Sequence, residues 1–197
     1  MLQQGKKATG ESWRDNYITP QHIFDCVNAY SDSIRETGFF DPCPENPIFN
    51  GLERSWQSDF TNHKVVYINP PFSEYSSWLD KGIREYKISK ELNQKLSLIY
   101  VCNTACEVKW YRRALANASV ELRTNYRVKF IHPKTKILTS SPRSSNTFFY
   151  FGENKFEFVK AFKDQGYFLD LDTWRIQNQA IFPDFLDTIY KDTKENN

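Results

Sequence analysis

The run Asn69-Pro70-Pro71-Phe72 is the part of the sequence whose residue types best suit a defined chemistry. Two consecutive prolines fix their φ angles and remove two backbone N–H donors, so the neighbouring carbonyl groups have few local donors. Asn69 adds a side-chain carbonyl acceptor, and Phe72 adds a flat apolar ring. This arrangement suits a flat ligand with an amino group, such as a nucleobase with an exocyclic amine. The alternative is purely structural, a stiff turn with Phe72 in the core.

The elements around this run place it at the end of a strand. The segment 65–68 is β-branched and aromatic, which predicts a short strand that the prolines stop. A helix is predicted to follow, with Tyr75, Trp78, Leu79, Ile83 and Tyr86 on one face. In α/β sheets ligands bind beyond the carboxyl ends of the strands, so the candidate site lies where such binding is expected.

The rest of the chain alternates between predicted helices and strands. The first helix has Thr19 as its N-cap and Pro20 as its first residue. Further helices are predicted over 110–118 and 156–165, the latter ended by Gly166, and strands over 39–41, 96–102, 127–131 and 146–151. Alternation of this kind predicts a three-layer α/β fold with a mostly parallel sheet. We expect a single domain over 16–190, between flexible tails at 1–15 and 191–197.

Basic residues are concentrated in one part of the chain, although the formal net charge is only +2. Residues 105–143 contain nine Lys or Arg and two Glu, a net charge of +7. This stretch is either a solvated face or a surface that binds phosphates, and its interleaved aromatic residues favour nucleic acid. The candidate DNA contacts are Lys109, Arg112, Arg113, Arg123, Arg127, Lys129, Lys134, Lys136 and Arg143.

Several classes of protein are disfavoured. No run approaches the roughly 18 apolar residues of a membrane-spanning helix, and the first residues lack the apolar segment of a secretory signal. The four cysteines and three histidines are too scattered for a zinc site, so we expect free thiols and a cytoplasmic protein without metal. Motifs of serine hydrolases, phosphate-binding loops and zinc proteases are absent from the sequence.

With these residues in view, the chain resembles the phage-type DNA N6-adenine methyltransferases, often called the phage Dam family. The resemblance is carried by 50–56 with its Asn-Gly-Leu and Trp, by the strand that enters Asn69–Phe72, and by Trp78-Leu79-Asp80-Lys81. It extends to 19–20 and 40–43 upstream and to 104, 110, 128–131 and 141–145 downstream, so it covers most of 17–152. It implies a Rossmann-like methyltransferase fold that uses S-adenosyl-L-methionine (AdoMet).

The resemblance also implies an activity: transfer of a methyl group from AdoMet to the N6 amine of an adenine flipped out of double-stranded DNA. Asn69 and the Pro70 carbonyl would accept hydrogen bonds from the amine, Pro71 would stiffen the turn, and Phe72 would stack on the base. The implied cofactor contacts are Thr19 and Pro20 near the methionine carboxylate, Asp41 at the methionine amine or the ribose, and Asp59 at the cofactor adenine. Each of these four has an ordinary alternative as a helix-capping or surface residue.

The chain departs from the methyltransferase pattern at one point. It has Asp41-Pro42-Cys43 but no Gly-x-Gly turn after it. Only 23 residues separate Asp41 from Val65, too few for two strand–helix units, so we expect an abridged nucleotide-binding half.

Two other functions remain open at this point. Motifs of Asn-Pro-Pro-aromatic type also serve enzymes that methylate guanine N2 in RNA or glutamine amides in proteins. The missing Gly-x-Gly would also be compatible with a DNA-binding module that has lost catalysis. The sequence leaves the oligomeric state open, with a monomer as one compatible state, and a phage-encoded enzyme would work in the host cytoplasm.

Overall fold

The structure is a computed structural model that describes residues 17–45, 47–56, 64–139 and 144–181. The predicted tails, 1–15 and 191–197, lie outside the described residues, as does the end of the predicted domain from 182. In chain order the elements are α1 (Gln21–Ser33), β1 (Val65–Ile68), α2 (Tyr75–Glu91), β2 (Ser97–Asn103), α3 (Lys109–Asn117), β3 (Val120–Thr124), β4 (Asn146–Phe151), α4 (Lys155–Ala161), β5 (Gly166–Asp170) and α5 (Leu171–Ile181). A 3₁₀ turn over Phe72–Glu74 joins β1 to α2.

The five strands form one mixed sheet in the order β1-β2-β4-β3-β5. β1 and β2 are parallel, whereas the other three neighbouring pairs are antiparallel, so the prediction of a mostly parallel sheet is wrong. Two strands cause this: β4 lies between β2 and β3 and runs opposite to both, and the edge strand β5 runs opposite to β3. β1, β2 and β3 still end at the same edge of the sheet, which we call the carboxyl edge.

Helices cover both faces of the sheet, as the three-layer prediction requires. On one face α2, α3 and α5 contribute Trp78, Leu79, Tyr111 and Leu171 to a buried apolar cluster. On the other face α1 and α4 contribute a second cluster that includes Ile23, Val27, Tyr30 and Phe158. β2 and β4 lie between these layers and are buried along almost their whole length, which explains their continuous apolar sequences.

The predicted strand at 39–41 is reduced to a single parallel bridge between Phe40 and Val66. The Phe40 backbone N–H donates to the Val65 carbonyl at 2.8 Å, and the Tyr67 N–H donates to the Phe40 carbonyl at 2.9 Å. This bridge extends the sheet beyond β1 by one residue. It brings Asp41, the next residue, to the carboxyl edge beside the end of β1.

The predicted strand at 127–131 is wrong. Val128 and Phe130 are buried and Lys129 is exposed, so the expected alternation of burial is present. Only Ile131 makes strand-like bridges, however, and its partners are Ile18 and Leu138. The sheet position is instead taken by β3, which the sequence analysis did not predict.

Gly166 begins β5 and does not end a helix, so the prediction of a helix that runs to 165 is also wrong. α4 already ends at Ala161. A Cβ atom built on Gly166 would collide with the backbone carbonyl oxygen of Arg123, so glycine is what allows β5 to approach β3 this closely. Among the described residues no helix combines the length and the apolar character needed to cross a bilayer.

Candidate active site

A cavity of about 490 Å³ opens at the carboxyl edge, beside the end of β1. Its walls are formed by the residues before α1, the segment after Phe40 and the turn that follows β1. The volume lies within the range of about 300 to 1,000 Å³ typical of small-molecule sites. Four residues singled out from the sequence line it together: Thr19, Asp41, Asn69 and Pro71.

Asn69 is held by a backbone group from a distant part of the chain. Its Nδ2 donates to the carbonyl oxygen of Tyr17 at 2.8 Å. Because a carbonyl oxygen only accepts hydrogen bonds, the amide nitrogen must face Tyr17, and Oδ1 is the remaining acceptor of the side chain. The half-buried Asn69 therefore offers a fixed acceptor at the cavity wall.

The two prolines that follow are buried and continue directly into the 3₁₀ turn. The carbonyl oxygen of Pro71 accepts the backbone N–H of Glu74 at 2.9 Å and is therefore engaged within the turn. Pro70 and Phe72 border the cavity without lining it.

Phe72 belongs to an aromatic cluster at this edge. Its ring stacks on Tyr17, with centroids 5.7 Å apart and planes 25° apart, and it also contacts Tyr75 at 5.7 Å. Tyr75 in turn contacts Trp110 at 5.0 Å, and the other edge of Tyr17 meets His132 at 6.1 Å. One side of the Phe72 ring is thus already shared with Tyr17.

Thr19 does not cap α1, so that alternative is wrong. The helix begins at Gln21 after Pro20, without a side-chain cap. The Thr19 hydroxyl instead forms a 2.9 Å hydrogen bond with the hydroxyl of Tyr67, a buried residue of β1. Burial raises the pKa of Tyr67 well above its usual range, so this hydroxyl stays neutral. Thr19 is fixed to the cavity wall, and Pro20 is buried behind it.

Asp41 is the most perturbed acid at the cavity. Burial raises its pKa to about 7, although the backbone N–H of Cys43, which donates to Oδ1 at 2.8 Å, lowers it. Glu45 and Glu74 also line the cavity, and no Lys, Arg or His is among its described lining residues, although Lys136 pairs with Glu45 from outside the lining. The cavity therefore favours a positively charged ligand over a phosphate-bearing one.

Asn50, Gly51 and Leu52 form part of the cavity wall. A Cβ atom on Gly51 would collide with the backbone carbonyl oxygen of Pro42, so only glycine permits this close approach of the two wall segments. The indole N–H of Trp56 donates to the Gly51 carbonyl at 2.9 Å and fixes the loop.

A buried ion pair on α2 anchors the same loop. Lys81 Nζ lies 2.5 Å from Glu85 Oε1 and also donates to the Arg54 carbonyl at 2.5 Å. The second carboxylate oxygen of Glu85 accepts the backbone N–H of Trp56 at 3.1 Å. Residues that carry the family resemblance but lie outside the cavity therefore hold its wall in place.

Some of the predicted DNA contacts form ion pairs with other described residues of the chain. Arg113 pairs with Asp80 at 3.0 Å, Arg123 pairs with the buried Glu121 at 2.9 Å, and Lys136 pairs with Glu45 at the cavity.

The other basic residues fall into two groups. Lys109 and the half-buried Arg112 lie on α3, whereas Arg127, Lys129 and Lys134 are exposed on the segment between β3 and β4. Asp59 and Arg143 lie outside the described residues.

Sequence reasoning missed several residues at the cavity, including Tyr17, Phe49 and Glu74, and it identified Trp78 only as part of a helix face and of the resemblance. Two of them could have been predicted from the sequence, because Glu74 lies two residues after the Asn69–Phe72 run and Tyr17 lies two residues before Thr19. The contact of Phe49 depends on the path of the loop after Asp41, for which the sequence has no signal.

One comparison with known proteins identifies a family for the chain. The family model described as DNA N-6-adenine-methyltransferase (Dam) matches residues 6–162. Because this match spans most of the chain, it identifies a DNA methyltransferase. More specifically, the chain belongs to the Dam family, which confirms the resemblance to N6-adenine methyltransferases and supports adenine N6 in DNA as the methyl acceptor in general. No curated protein and no solved structure matched the chain.

Proposed function

We propose that the protein transfers a methyl group from AdoMet to the N6 amine of an adenine flipped out of double-stranded DNA. The observation that carries this proposal is the position of Asn69, whose orientation is fixed by Tyr17 at the wall of an acidic cavity. An amide acceptor beside a site for a cationic small molecule is what methylation of an exocyclic amine requires.

The cavity suits AdoMet by charge. AdoMet carries a sulfonium and an ammonium group, and the described lining residues include the acids Asp41, Glu45 and Glu74, of which Glu45 pairs with Lys136. We assign Asp41 to the methionine ammonium, the Thr19 hydroxyl to the carboxylate, and the apolar wall around Phe49 to the adenosine. When bound, AdoMet supplies a methyl group already activated by its positive sulfur.

Asn69 and Pro70 orient the target amine. The Asn69 Oδ1 and the Pro70 carbonyl accept the two amine hydrogens, while the Pro71 carbonyl is occupied by Glu74. These two hydrogen bonds would direct the nitrogen lone pair toward the methyl donor for direct in-line displacement. In this displacement the N–C bond forms as the S–C bond breaks, S-adenosylhomocysteine leaves as a neutral thioether, and one amine proton is lost to solvent. No covalent enzyme intermediate is needed, so most of the rate enhancement comes from alignment on a rigid turn.

Phe72 stabilises the flipped base by stacking. Flipping costs a few kcal/mol, and stacking on one aromatic ring contributes about 1–3 kcal/mol. A base that stacks on the face of Phe72 now shared with Tyr17 displaces the Tyr17 ring, which lies 5.7 Å away. The backbone carbonyl of Tyr17 can still hold Asn69 after this movement, because only the side chain rotates.

Incubation with labelled AdoMet and DNA, followed by nucleoside analysis, tests the proposal. We expect label in N6-methyladenine. Label in N2-methylguanine after incubation with RNA, or in methylglutamine after incubation with protein, would assign the same site to another acceptor. AdoMet binding or DNA binding without transfer to any acceptor would overturn the proposal in favour of a binding module.

The variant Asn69→Ala isolates the catalytic part. Loss of one preorganised acceptor should lower the transfer rate at least about 100-fold. AdoMet affinity, measured by calorimetry, should change less than about threefold, because the assigned cofactor contacts lie on other segments. Asn28→Ala, on the exposed face of α1, is the matched control and should leave both quantities unchanged. Near-normal transfer by Asn69→Ala would contradict the assigned role.

A further inference from the structure

Residues 130–139, which we call the edge hairpin, form a short hairpin that contacts two residues of the cavity lining, Ile18 and Glu45. The Thr139 N–H donates to the Phe130 carbonyl at 2.9 Å, and the His132 N–H donates to the Ile137 carbonyl at 2.8 Å. Its two arms are bridged where Ile131 faces Leu138. The segment therefore has a defined shape despite contributing no strand to the sheet.

The turn of the edge hairpin is braced by its own side chain. His132 Nδ1 accepts the backbone N–H groups of Lys134 and Thr135, both at 3.2 Å. Lys136 donates its N–H to the His132 carbonyl at 2.9 Å and adopts a φ of 58°, in the left-handed region. These contacts give the exposed tip a fixed backbone.

The edge hairpin is joined to the walls of the proposed active site. Ile131 and Ile18 exchange two backbone hydrogen bonds, at 3.0 and 2.9 Å, and the His132 ring meets the Tyr17 ring edge-on. On the opposite wall Lys136 pairs with Glu45. These contacts fix the position of the hairpin relative to the cavity, and with it the position of a molecule bound to the hairpin.

The exposed surface of the edge hairpin combines apolar and positive groups. Ile137 and Leu138 are 67% and 53% exposed on the arm after the turn. Lys134 and Lys136 lie at the tip, and Lys129 is exposed just before the hairpin. Two adjacent exposed aliphatic side chains with lysines nearby suit a partner that has rows of negative charge on either side of an apolar surface. A groove of duplex DNA has this character, with phosphates on both sides of the bases.

We propose that the edge hairpin enters a groove of duplex DNA beside the target adenine. Ile137 and Leu138 contact the bases, and the exposed Lys129 and Lys134 contact the phosphates, while Lys136 keeps its ion pair with Glu45. The link between Ile131 and Ile18 then sets the duplex at the distance from which a flipped base reaches the cavity. This inference rests on the proposed function, since it takes adenine in DNA as the substrate.

The double variant Ile137→Ala, Leu138→Ala tests the apolar contact without changing charge. Its methyl-transfer rate on duplex DNA should fall about tenfold, the equivalent of roughly 1.4 kcal/mol, while the rate on heat-denatured DNA of the same sequences stays within about twofold. Leu92→Ala is the matched control, because Leu92 is 57% exposed at the far end of α2. Equal losses on both DNA forms, or an unchanged duplex rate, would overturn the proposal.

Direct DNA binding supplies an independent readout. In anisotropy titrations over a series of salt concentrations, the double variant should bind duplex more weakly with an unchanged salt slope. Lys134→Gln should reduce the slope by about one ion. An unchanged duplex affinity of the double variant would overturn the hairpin assignment even if the wild type methylates adenine. The expected binding losses in a protein that transfers no methyl group to adenine would instead refute the proposed function and retain the hairpin.

Discussion

Replacing Asp41 with Asn should make AdoMet binding nearly independent of pH. The carboxyl group lines the proposed cofactor cavity, and burial raises its pKa to about 7. A cationic ligand binds the ionised form. Cofactor affinity of the wild type should therefore rise as the pH passes upward through about 7, while the amide of the variant stays neutral throughout.

The size of the effect follows from the titration. With a pKa of about 7, roughly a tenth of the carboxyl groups are ionised near pH 6 and roughly nine tenths near pH 8. If only the ionised form pairs with the cofactor, the Kd of the wild type falls about tenfold across this interval. Near pH 8 the variant should bind at least about tenfold more weakly than the wild type.

Protein stability should respond with the opposite sign. The folded-state pKa lies above the ordinary value of 3.8, so the fold favours the protonated group, and stability is lost as the pH rises from about 4 to about 7. The shift corresponds to roughly 4 kcal/mol as an upper bound. Asp41→Asn should therefore unfold at a higher temperature than the wild type near pH 8, and the difference should vanish near pH 4.

Calorimetric titration with AdoMet and thermal unfolding, both repeated across this pH range, measure these effects. Asp164→Asn is the matched control, because Asp164 is exposed after α4 and lies away from the cavity. A wild-type Kd that does not change with pH, or an equal pH dependence in Asp41→Asn, would refute the reasoning. The difference between wild type and variant removes the contribution of groups that titrate on the ligand itself.

Three further substitutions test other parts of the site. Phe72→Ala should lower methyl transfer more on duplex than on single-stranded DNA, because flipping loses its stacking partner; equal losses would argue against that role. Replacing Arg127 and Lys129 by Ala should reduce the slope of log affinity for DNA against log salt concentration by about two. An unchanged slope would indicate that these two residues only form a solvated face. Arg123→Ala should lower stability by about 1–3 kcal/mol in denaturant titrations, because its partner Glu121 is 1% exposed; unchanged stability would show that Glu121 needs no cation.

The local part of the site could be predicted from the sequence. The run of β-branched and aromatic residues before Asn69 forms β1, the two prolines end it, and a helix with one apolar face follows as α2. These features depend on neighbouring residues alone. The choice of the carboxyl end of this strand as the candidate site followed from them and from the general behaviour of α/β sheets.

The direction of the strands could not be predicted in the same way. Alternating strands and helices imply parallel neighbours only where a helix connects them across the sheet. No helix is present in the described part of the connection from β3 to β4, and β4 returns antiparallel between β2 and β3. A glycine after an apolar helix is typical of a helix end, but Gly166 instead allows β5 to pass close to the backbone of Arg123 on β3.

Contacts between distant segments were equally out of reach. Asn69 is oriented by a residue 52 positions away, and Thr19 is bonded to Tyr67, which is 48 positions away. Both residues were identified as candidates, but a helix cap was an equally natural interpretation of Thr19. Only the folded chain brings the start of α1 against the end of β1.

Tyr17 serves the site through two chemically separate parts of one residue. The oxygen that accepts the hydrogen bond from Asn69 belongs to the main chain and is present whichever residue occupies position 17. The ring that stacks on Phe72, in contrast, belongs to the tyrosine side chain. A saturation library at position 17 would consequently keep the carbonyl group that binds Asn69 and would vary only the side chain that stacks on Phe72. The side chain at position 17 can therefore change during evolution, and with it the contact to a flipped base, while the orientation of the Asn69 amide is kept.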